Sequence, residues 1–396
     1  MKPNLFLVRY TLLSILLLWG VSSSGQNRSN SIAIGQTVQI QSKVLRQSRS
    51  LTISKPDDYD DSTGRYPVLY LLDGEANFEF TTAIVHFLAE NDRIPAMIVV
   101  GIDSGDPAQR THDLTPSTQV EIEKRFSPGN GGGDAFLTFI SSELVPYIEN
   151  NYRTGPYRIL VGHSFGGLFV IHALATKPKL FSAYIAIDPT VTWNNGAEIV
   201  GIQNLFSQLD DLQADLFVSA ANDADSSSPD SQRLAATLNG TKLKSFRWKI
   251  EWMKDETHTS IPLLSVYSGL STIFDGWRLT DPLKLFDEGG LAAIDEHFRN
   301  GGRRAGYDRT TPPFTISLLV AALIQKGRLE EASSVLLGNP KSYPPPWNQL
   351  DALARAYAER GNVELAIRYY RLSLRENPDN AWAKQKLQKM GAIPAP

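Results

Sequence analysis

The feature that most constrains this chain is segment 162–166, Gly-His-Ser-Phe-Gly, which fits the pattern G-x-S-x-G. A mostly apolar run at 157–160 precedes it and a helical pattern at 168–176 follows it. This context predicts a nucleophile elbow, a strand-to-helix turn that holds the hydroxyl of Ser164 clear of the sheet. The flanking glycines are needed because strand and helix approach too closely for side chains. The alternative is a glycine-rich turn that contains a serine by chance.

Strand patterns alternate with helical patterns around this segment. The runs at 66–72 and 97–102 are continuously apolar, as in strands covered on both faces, and 78–90 between them is predicted to be a helix. Further strands are predicted at 184–187, 216–220 and 246–252, and alternating residues at 32–53 indicate antiparallel strands. The chain is therefore predicted to have an α/β fold with a mostly parallel sheet, whose functional residues follow the strands. Polar residues at or just beyond predicted strand ends are Asp73, Asp103, Ser164, Asp188 and Asn222.

Residues 1–25 have the pattern of a secretory signal peptide. Lys2 and Arg9 precede a short apolar stretch at 10–20, and small residues follow at 21–25. The alternative, an uncleaved membrane anchor, is disfavoured because a spanning helix needs about 20 apolar residues. The chain has no cysteine, which excludes disulfides and cysteine-based catalysis. We therefore expect an exported protein, periplasmic or extracellular, that does not span the membrane after cleavage.

The length and net charge of the chain indicate how many domains it has and which kinds of partner to expect. A chain of 396 residues predicts one large and one small domain, and a net charge of −3 gives no reason to expect nucleic acid as a partner. We predict a catalytic α/β domain at 26–280, a linker at 281–312 and helical repeats at 313–396. Within the repeats, pairs such as Gly327 and Gly361 lie 34 residues apart, as in tetratricopeptide repeats. The alternative is an ordinary pair of helical hairpins.

A serine nucleophile needs a base, and an α/β-hydrolase supplies the acid and the base after later strands in the order Ser, acid, His. His258 follows the last predicted strand in a polar loop and is the predicted base; a solvated loop histidine is the alternative. His112 precedes Ser164 in a predicted loop at 103–130 and is at most a substrate contact. The remaining histidines are predicted to pack or lie on the surface: His86, His163, His172 and His297.

The acid is predicted to follow the strand at 216–220. Asp223 is nearest to the strand end and is the first choice, with Asp225 next and Asp230 third. Acidic residues in such a serine-rich loop are otherwise simply solvated.

Acyl transfer also needs donors for the oxyanion. The backbone N–H of Phe165, directly after the serine, is one predicted donor. The second is predicted in the loop after the strand at 66–72, from the N–H of Gly74 or Glu75. The alternative is that Gly74 only forms a tight turn.

Several motifs together resemble the putative-esterase family of α/β-hydrolases, which includes the enterobactin and salmochelin trilactone esterases and is related to esterase D and the mycolyltransferases. The resemblance covers roughly residues 30–277. It is carried by the segments 66–74, 110–116, 162–167, 188–193 and 258–262.

The resemblance implies a serine esterase with Ser164 as nucleophile and His258 as base, without a metal or organic cofactor. Family members often have Gly-Asn-Glu where this chain has Ala-Asn-Asp at 221–223, and some siderophore esterases of the family use a Ser-His dyad without an acid. The resemblance therefore leaves the identity of the acid open. Arg110 matches a position implicated in binding anionic or catecholate substrates; a loop salt bridge is the alternative. The resemblance also implies that Trp193 forms a wall of the acyl pocket.

Three hypotheses about the function follow. The first is an exported esterase acting on a small ester, such as a siderophore lactone or an acylated sugar. The second is an acyltransferase that uses the same site. The third is a catalytically inactive protein that binds a protein partner through its helical repeats.

Overall fold

The computed structural model describes residues 33–221, 229–338 and 344–393. Its centre is an eight-stranded sheet with the order β1-β2-β4-β3-β5-β6-β7-β8. The strands are β1 Gln36–Ser42, β2 Gln47–Ser54, β3 Tyr66–Leu72, β4 Ile98–Ile102, β5 Thr154–His163, β6 Ala183–Ile187, β7 Ala214–Ala221 and β8 Phe246–Met253.

The sheet is antiparallel only where β2 pairs with β1 and with β4; the other neighbouring strands are parallel. Strands β3, β4, β6 and β7 are buried at every position because helices cover both faces of the sheet. The predicted α/β fold with a mostly parallel sheet is therefore confirmed. Its topology brings the carboxyl ends of β3, β5, β6, β7 and β8 to one edge.

Helices follow most of the strands. In chain order, those of the α/β region are α1 Gly74–Glu90, α2 Pro107–Leu114, α3 Glu121–Phe126, α4 Gly133–Phe139, α5 Val145–Asn151, α6 Phe165–Thr176, α7 Trp193–Gln208, α8 Pro229–Asn239 and α9 Ile261–Ile273, with a π-helical turn at Ile140–Leu144 between α4 and α5. The predicted loop at 103–130 therefore contains two helices. Asp106 explains the first, since its side chain caps α2 by accepting the N–H of Gln109 at 2.8 Å.

The C-terminal part of the described chain is helical. It consists of α10 Pro282–Ala305, α11 Pro313–Gln325, α12 Leu329–Gly338, α13 Trp347–Glu359, α14 Val363–Glu376 and α15 Ala381–Lys389. These helices share a hydrophobic core of their own, in which Tyr357 and Tyr369 stack with ring centroids 5.6 Å apart. The helical extension is as predicted, whereas the domain boundaries and the tetratricopeptide assignment remain predictions.

Most of the predicted linker is helical, since α10 occupies it with a kink at Gly289 and Gly290. The end of α10 attaches to the sheet, because Arg304 contacts Asp215 of β7 at 2.8 Å. Arg309 beyond it donates to the carbonyl oxygen of Trp277 at 2.7 Å. Among the described helices, none combines the length and apolar character that crossing a membrane requires.

Candidate active site

Ser164 lies at the turn between β5 and α6. Its backbone has φ 61° and ψ −117°, a conformation that costs an L-residue energy and that the surrounding fold must hold in place. The N–H of Ser164 donates to the carbonyl oxygen of Ile187 in β6 at 3.0 Å, which ties the turn to the neighbouring strand. This is the geometry expected of a nucleophile elbow.

The glycines around Ser164 are required to different extents. A Cβ on Gly162 would lie 2.4 Å from the carbonyl oxygen of Gly166, and one on Gly167 would lie 2.9 Å from that of Ile187. A Cβ on Gly166 would meet nothing closer than 3.4 Å, an ordinary contact. The close approach therefore depends on Gly162 and Gly167, whereas the second glycine of the motif has room.

His258 lies between β8 and α9, at the same edge of the sheet. Its Nδ1 is 2.6 Å from Oδ2 of Asp188, which directly follows β6. Asp188 is 6% exposed and has a φ of 40°. Its Oδ1 accepts the N–H of Ala221 at 3.1 Å, so the carboxylate is fixed from the end of β7 as well.

Asp188 was not predicted as the acid. The signal that was available is its position immediately after a buried strand, but the preferred strand was the next one along the chain. Asp223 and Asp225, the predicted candidates, lie outside the described residues. The third candidate, Asp230, binds Arg233 at 2.7 Å in the first turn of α8.

His163 packs against the proposed base. Its ring centroid is 4.5 Å from that of His258. Burial, and then the neighbouring His258, lower the pKa of His163 to about 4, so its ring is neutral near pH 7. It therefore adds no positive charge beside His258 at that pH.

The loop predicted to supply an oxyanion donor joins β3 to α1. Asp73, at the end of the strand, has a left-handed backbone with φ 53°. A Cβ on Gly74 would lie 2.7 Å from the carbonyl carbon of Gly101, so this loop packs directly on β4. Gly74 and Glu75 begin α1 and Phe165 begins α6, and N–H groups in a first helical turn have no intrahelical acceptor.

Arg110 reaches this loop from α2. Its Nε and Nη2 donate to the two carboxylate oxygens of Asp73 at 2.6 and 2.8 Å. Burial lowers the pKa of Arg110, but the hydrogen bonds and the charge of Asp73 outweigh it and the net shift is upward. Arg110 is thus a permanent cation, paired with a buried carboxylate.

Trp193 lies beneath the nucleophile turn. Its ring is 4% exposed, packs edge-on against Phe165 at 5.4 Å, and donates from Nε1 to the carbonyl oxygen of Pro116 at 2.9 Å. These contacts place it beside the residue that follows Ser164. Its predicted role as a wall of the acyl pocket remains a prediction.

Two further histidines, His112 and His172, have partners away from His258. His112 contacts Asp113 at 2.9 Å, and His172 lies between Asp134 and Glu198 at 3.1 and 3.3 Å. Within the part of the chain that the structure describes, no three His, Asp or Glu side chains converge as metal ligands would.

Comparison with known proteins places the chain in a family. A family model described as "Putative esterase" matches residues 42–259. The ferri-bacillibactin esterase of Bacillus subtilis is 33% identical over 186 residues, which are 44% of this chain and 64% of that protein. The match thus spans less than two thirds of this relative.

Two solved structures extend the comparison. An IroE-like serine hydrolase from Shewanella oneidensis is 27% identical and superposes with a TM-score of 0.61. The match covers 76% of this chain and 97% of the hydrolase chain. An uncharacterised protein from Capnocytophaga ochracea is 17% identical and superposes with a TM-score of 0.64. The match covers 91% of this chain and all of the other chain, so the shared fold includes much of the helical extension. Since the family model takes in more than half of the residues, this chain belongs to the putative-esterase family of α/β-hydrolases.

Proposed function

We propose that this protein is a serine esterase that hydrolyses a carboxylic ester through an acyl-enzyme. The observation that carries the proposal is the 2.6 Å contact between His258 Nδ1 and Asp188 Oδ2, at the sheet edge where Ser164 occupies a strained turn. A carboxylate on Nδ1 holds the imidazole in the tautomer in which Nδ1 carries the proton, so that Nε2 can accept one. This is the state that a general base requires.

In this mechanism Ser164 attacks the ester carbonyl while His258 takes its proton. His258 then returns the proton to the leaving alcohol, and water repeats the sequence to release the acid. Asp188 stabilises the imidazolium that forms at each step. The sequence-based choice, Asp223, is the competing assignment for the acid, and the two are separated by substitution below.

The oxyanion is held by backbone N–H groups. We assign one to Phe165 and the other to Gly74 or Glu75, because all three begin a helix and the positive ends of α6 and α1 stabilise negative charge there. Burial raises the pKa of Glu75, and its own N–H and that of Ser104 lower it.

The proposed substrate class is a siderophore-type ester. Its support is the similarity to a ferri-bacillibactin esterase, with acylated sugars as the competing class. Export to the periplasm or beyond is likewise proposed, on the pattern of residues 1–25. Cell fractionation with mass measurement of the mature N-terminus would test it, and a protein that begins at Met1 and stays in the cytoplasmic fraction would overturn it.

The test of the activity combines a probe with product analysis. A fluorophosphonate probe should label Ser164, and p-nitrophenyl esters and siderophore trilactones should yield the free acid. If adding an alcohol acceptor diverts most of the acyl group to a new ester, the protein is an acyltransferase instead. Absence of labelling would favour the inactive, partner-binding alternative, for which the repeats remain a predicted surface.

A further inference from the structure

The guanidinium of Arg110 is engaged on two sides by the protein itself. Its Nε and Nη2 bind both oxygens of Asp73, and Nη2 also lies 3.3 Å from the carbonyl oxygen of His163, the residue before the nucleophile. A two-pronged arginine–carboxylate pair has fixed geometry. Arg110 therefore connects the end of β3 to the end of β5.

Asp73 is an anchor for the adjoining loop. It is 5% exposed, and its Oδ1 also accepts the hydroxyl of Ser104 at 2.6 Å. Its carbonyl oxygen accepts the N–H groups of Ala76 and Asn77, both at 3.1 Å, which starts α1. A movement of the Asp73 side chain would therefore shift the N–H groups of Gly74 and Glu75 relative to Ser164.

The charges around Arg110 do not favour a bound anion. Its own charge is matched by Asp73, and the carboxylate of Glu75 lies close enough to add to the electrostatic field at Arg110. Burial raises the pKa of Glu75 while the charges of Asp73 and Asp103 raise it further, as expected where negative groups gather. Two carboxylates, those of Asp73 and Glu75, therefore act on one guanidinium.

We propose that Arg110 is a positioning residue that holds the oxyanion loop at 73–75 against the nucleophile strand, and does not bind the anionic part of a substrate. The proposal rests on the esterase function proposed above. It separates Arg110 from the substrate-binding role that the family resemblance implies for it.

Kinetics on two esters distinguishes the roles. With p-nitrophenyl acetate, which is neutral, and p-nitrophenyl hydrogen succinate, which is anionic, Arg110→Gln should lower kcat about 10²-fold on both, because small misplacements of catalytic groups have effects of this size. KM should change little for either ester. A rise in KM confined to the succinate ester, with acetate turnover unchanged, would overturn the proposal.

Further variants control for charge and folding. Arg110→Lys keeps the positive charge but cannot make the two-pronged contact with Asp73, so it should be as impaired as Arg110→Gln. Full activity of Arg110→Lys on the succinate ester would contradict the positioning role.

Asp73→Asn removes the ion pair from the other side, and asparagine tolerates the left-handed backbone. The double variant D73N/R110Q leaves no unpaired buried charge and should be no worse than either single variant; a loss equal to the product of both would contradict the coupling. Arg125→Gln, an exposed arginine on α3, is the matched control and should behave as wild type.

A structural readout stands independently of catalysis. Amide hydrogen exchange in segment 73–77 should be faster in Arg110→Gln than in wild type, and unchanged exchange there would overturn the proposal. If Ser164→Ala hydrolyses both esters as fast as wild type, the esterase function fails, yet the exchange result still decides whether Arg110 positions this loop.

Discussion

The two edges of the central sheet both contain a buried aspartate paired with arginine, but they differ in the groups that surround this pair. At the carboxyl edge, Asp73, Ser164 and Asp188 all have positive φ, at 53°, 61° and 40°. At the opposite edge, Asp215 binds Arg247 at 2.6 Å and Arg304 at 2.8 Å. Two cavities, of about 600 and 360 Å³, are lined by this second cluster.

The difference shows where chemistry is to be sought in this molecule. Large pockets are the usual first guess for an active site. The smaller of these cavities lies where a salt-bridge cluster joins α10 to the sheet, and the larger is lined by residues of β7, β8 and α9. Backbone strain is retained only where the fold holds it, and it gathers at functional sites. Because Asp188 and His258 meet near the strained turn of Ser164, we propose catalysis at the carboxyl edge and attachment of the helical extension at the opposite edge.

The sharpest test of this contrast replaces one serine at each edge. Ser164→Ala should reduce kcat on p-nitrophenyl esters by about 10⁴-fold or more, because the nucleophile is lost. Ser182→Ala, whose residue lines the smaller cavity of the opposite edge, should leave kcat unchanged. Steady-state kinetics measures kcat for both variants, and equal losses of kcat would contradict the proposed difference between the two edges.

The next test concerns the acid. Asp188→Asn keeps an oxygen for the N–H of Ala221 but presents the wrong partner to His258 Nδ1, so kcat should fall by about 10³-fold or more with little change in KM. Asp223→Asn should remain near wild type. The reverse ranking in parallel assays would move the acid to Asp223.

For the opposite edge the expected effect is on stability. Asp215→Asn leaves Arg247 and Arg304 without their carboxylate, and removing one member of such a group should lower the free energy of unfolding by about 2 kcal/mol. Turnover per folded molecule should not change. Urea unfolding and kinetics on the same preparation measure both, and a loss of kcat at full stability would contradict the division between the edges.

The smallest expected effect depends on pH. The pKa of His163 is lowered to about 4 in the folded protein, below the 6.5 of a free histidine, so the unfolded chain binds more protons between these values. Stability from this group is therefore present above pH 6.5 and is lost as the pH falls towards 4, by about 2 kcal/mol between pH 7 and pH 4.5.

His163→Gln removes the titrating ring and should flatten this part of the stability profile. Urea unfolding of both proteins at the two pH values tests it. Equal pH dependence in wild type and variant would show that another group is responsible.

Much of the site follows from short stretches of sequence. The turn at Ser164 is local, because Gly162 and Gly167 permit an approach that any side chain would block. The alternation of apolar runs with helical patterns predicted the parallel sheet, since strands that are buried on both faces are apolar at nearly every position. His258 was chosen by its order in the chain.

Only the tertiary structure decided which charged groups meet. Asp188 and His258 are 70 residues apart, and their contact depends on β6, β7 and β8 lying side by side with Asp188 in a left-handed conformation. Likewise Arg110 and Asp73 are 37 residues apart and meet because α2 folds back over the end of β3. Sequence alone determined the fold class and the turn that holds Ser164, because local spacing and burial encode them. The partners of each carboxylate were decided by packing, because a hydrogen bond depends on ångström-scale distances that residue spacing does not specify.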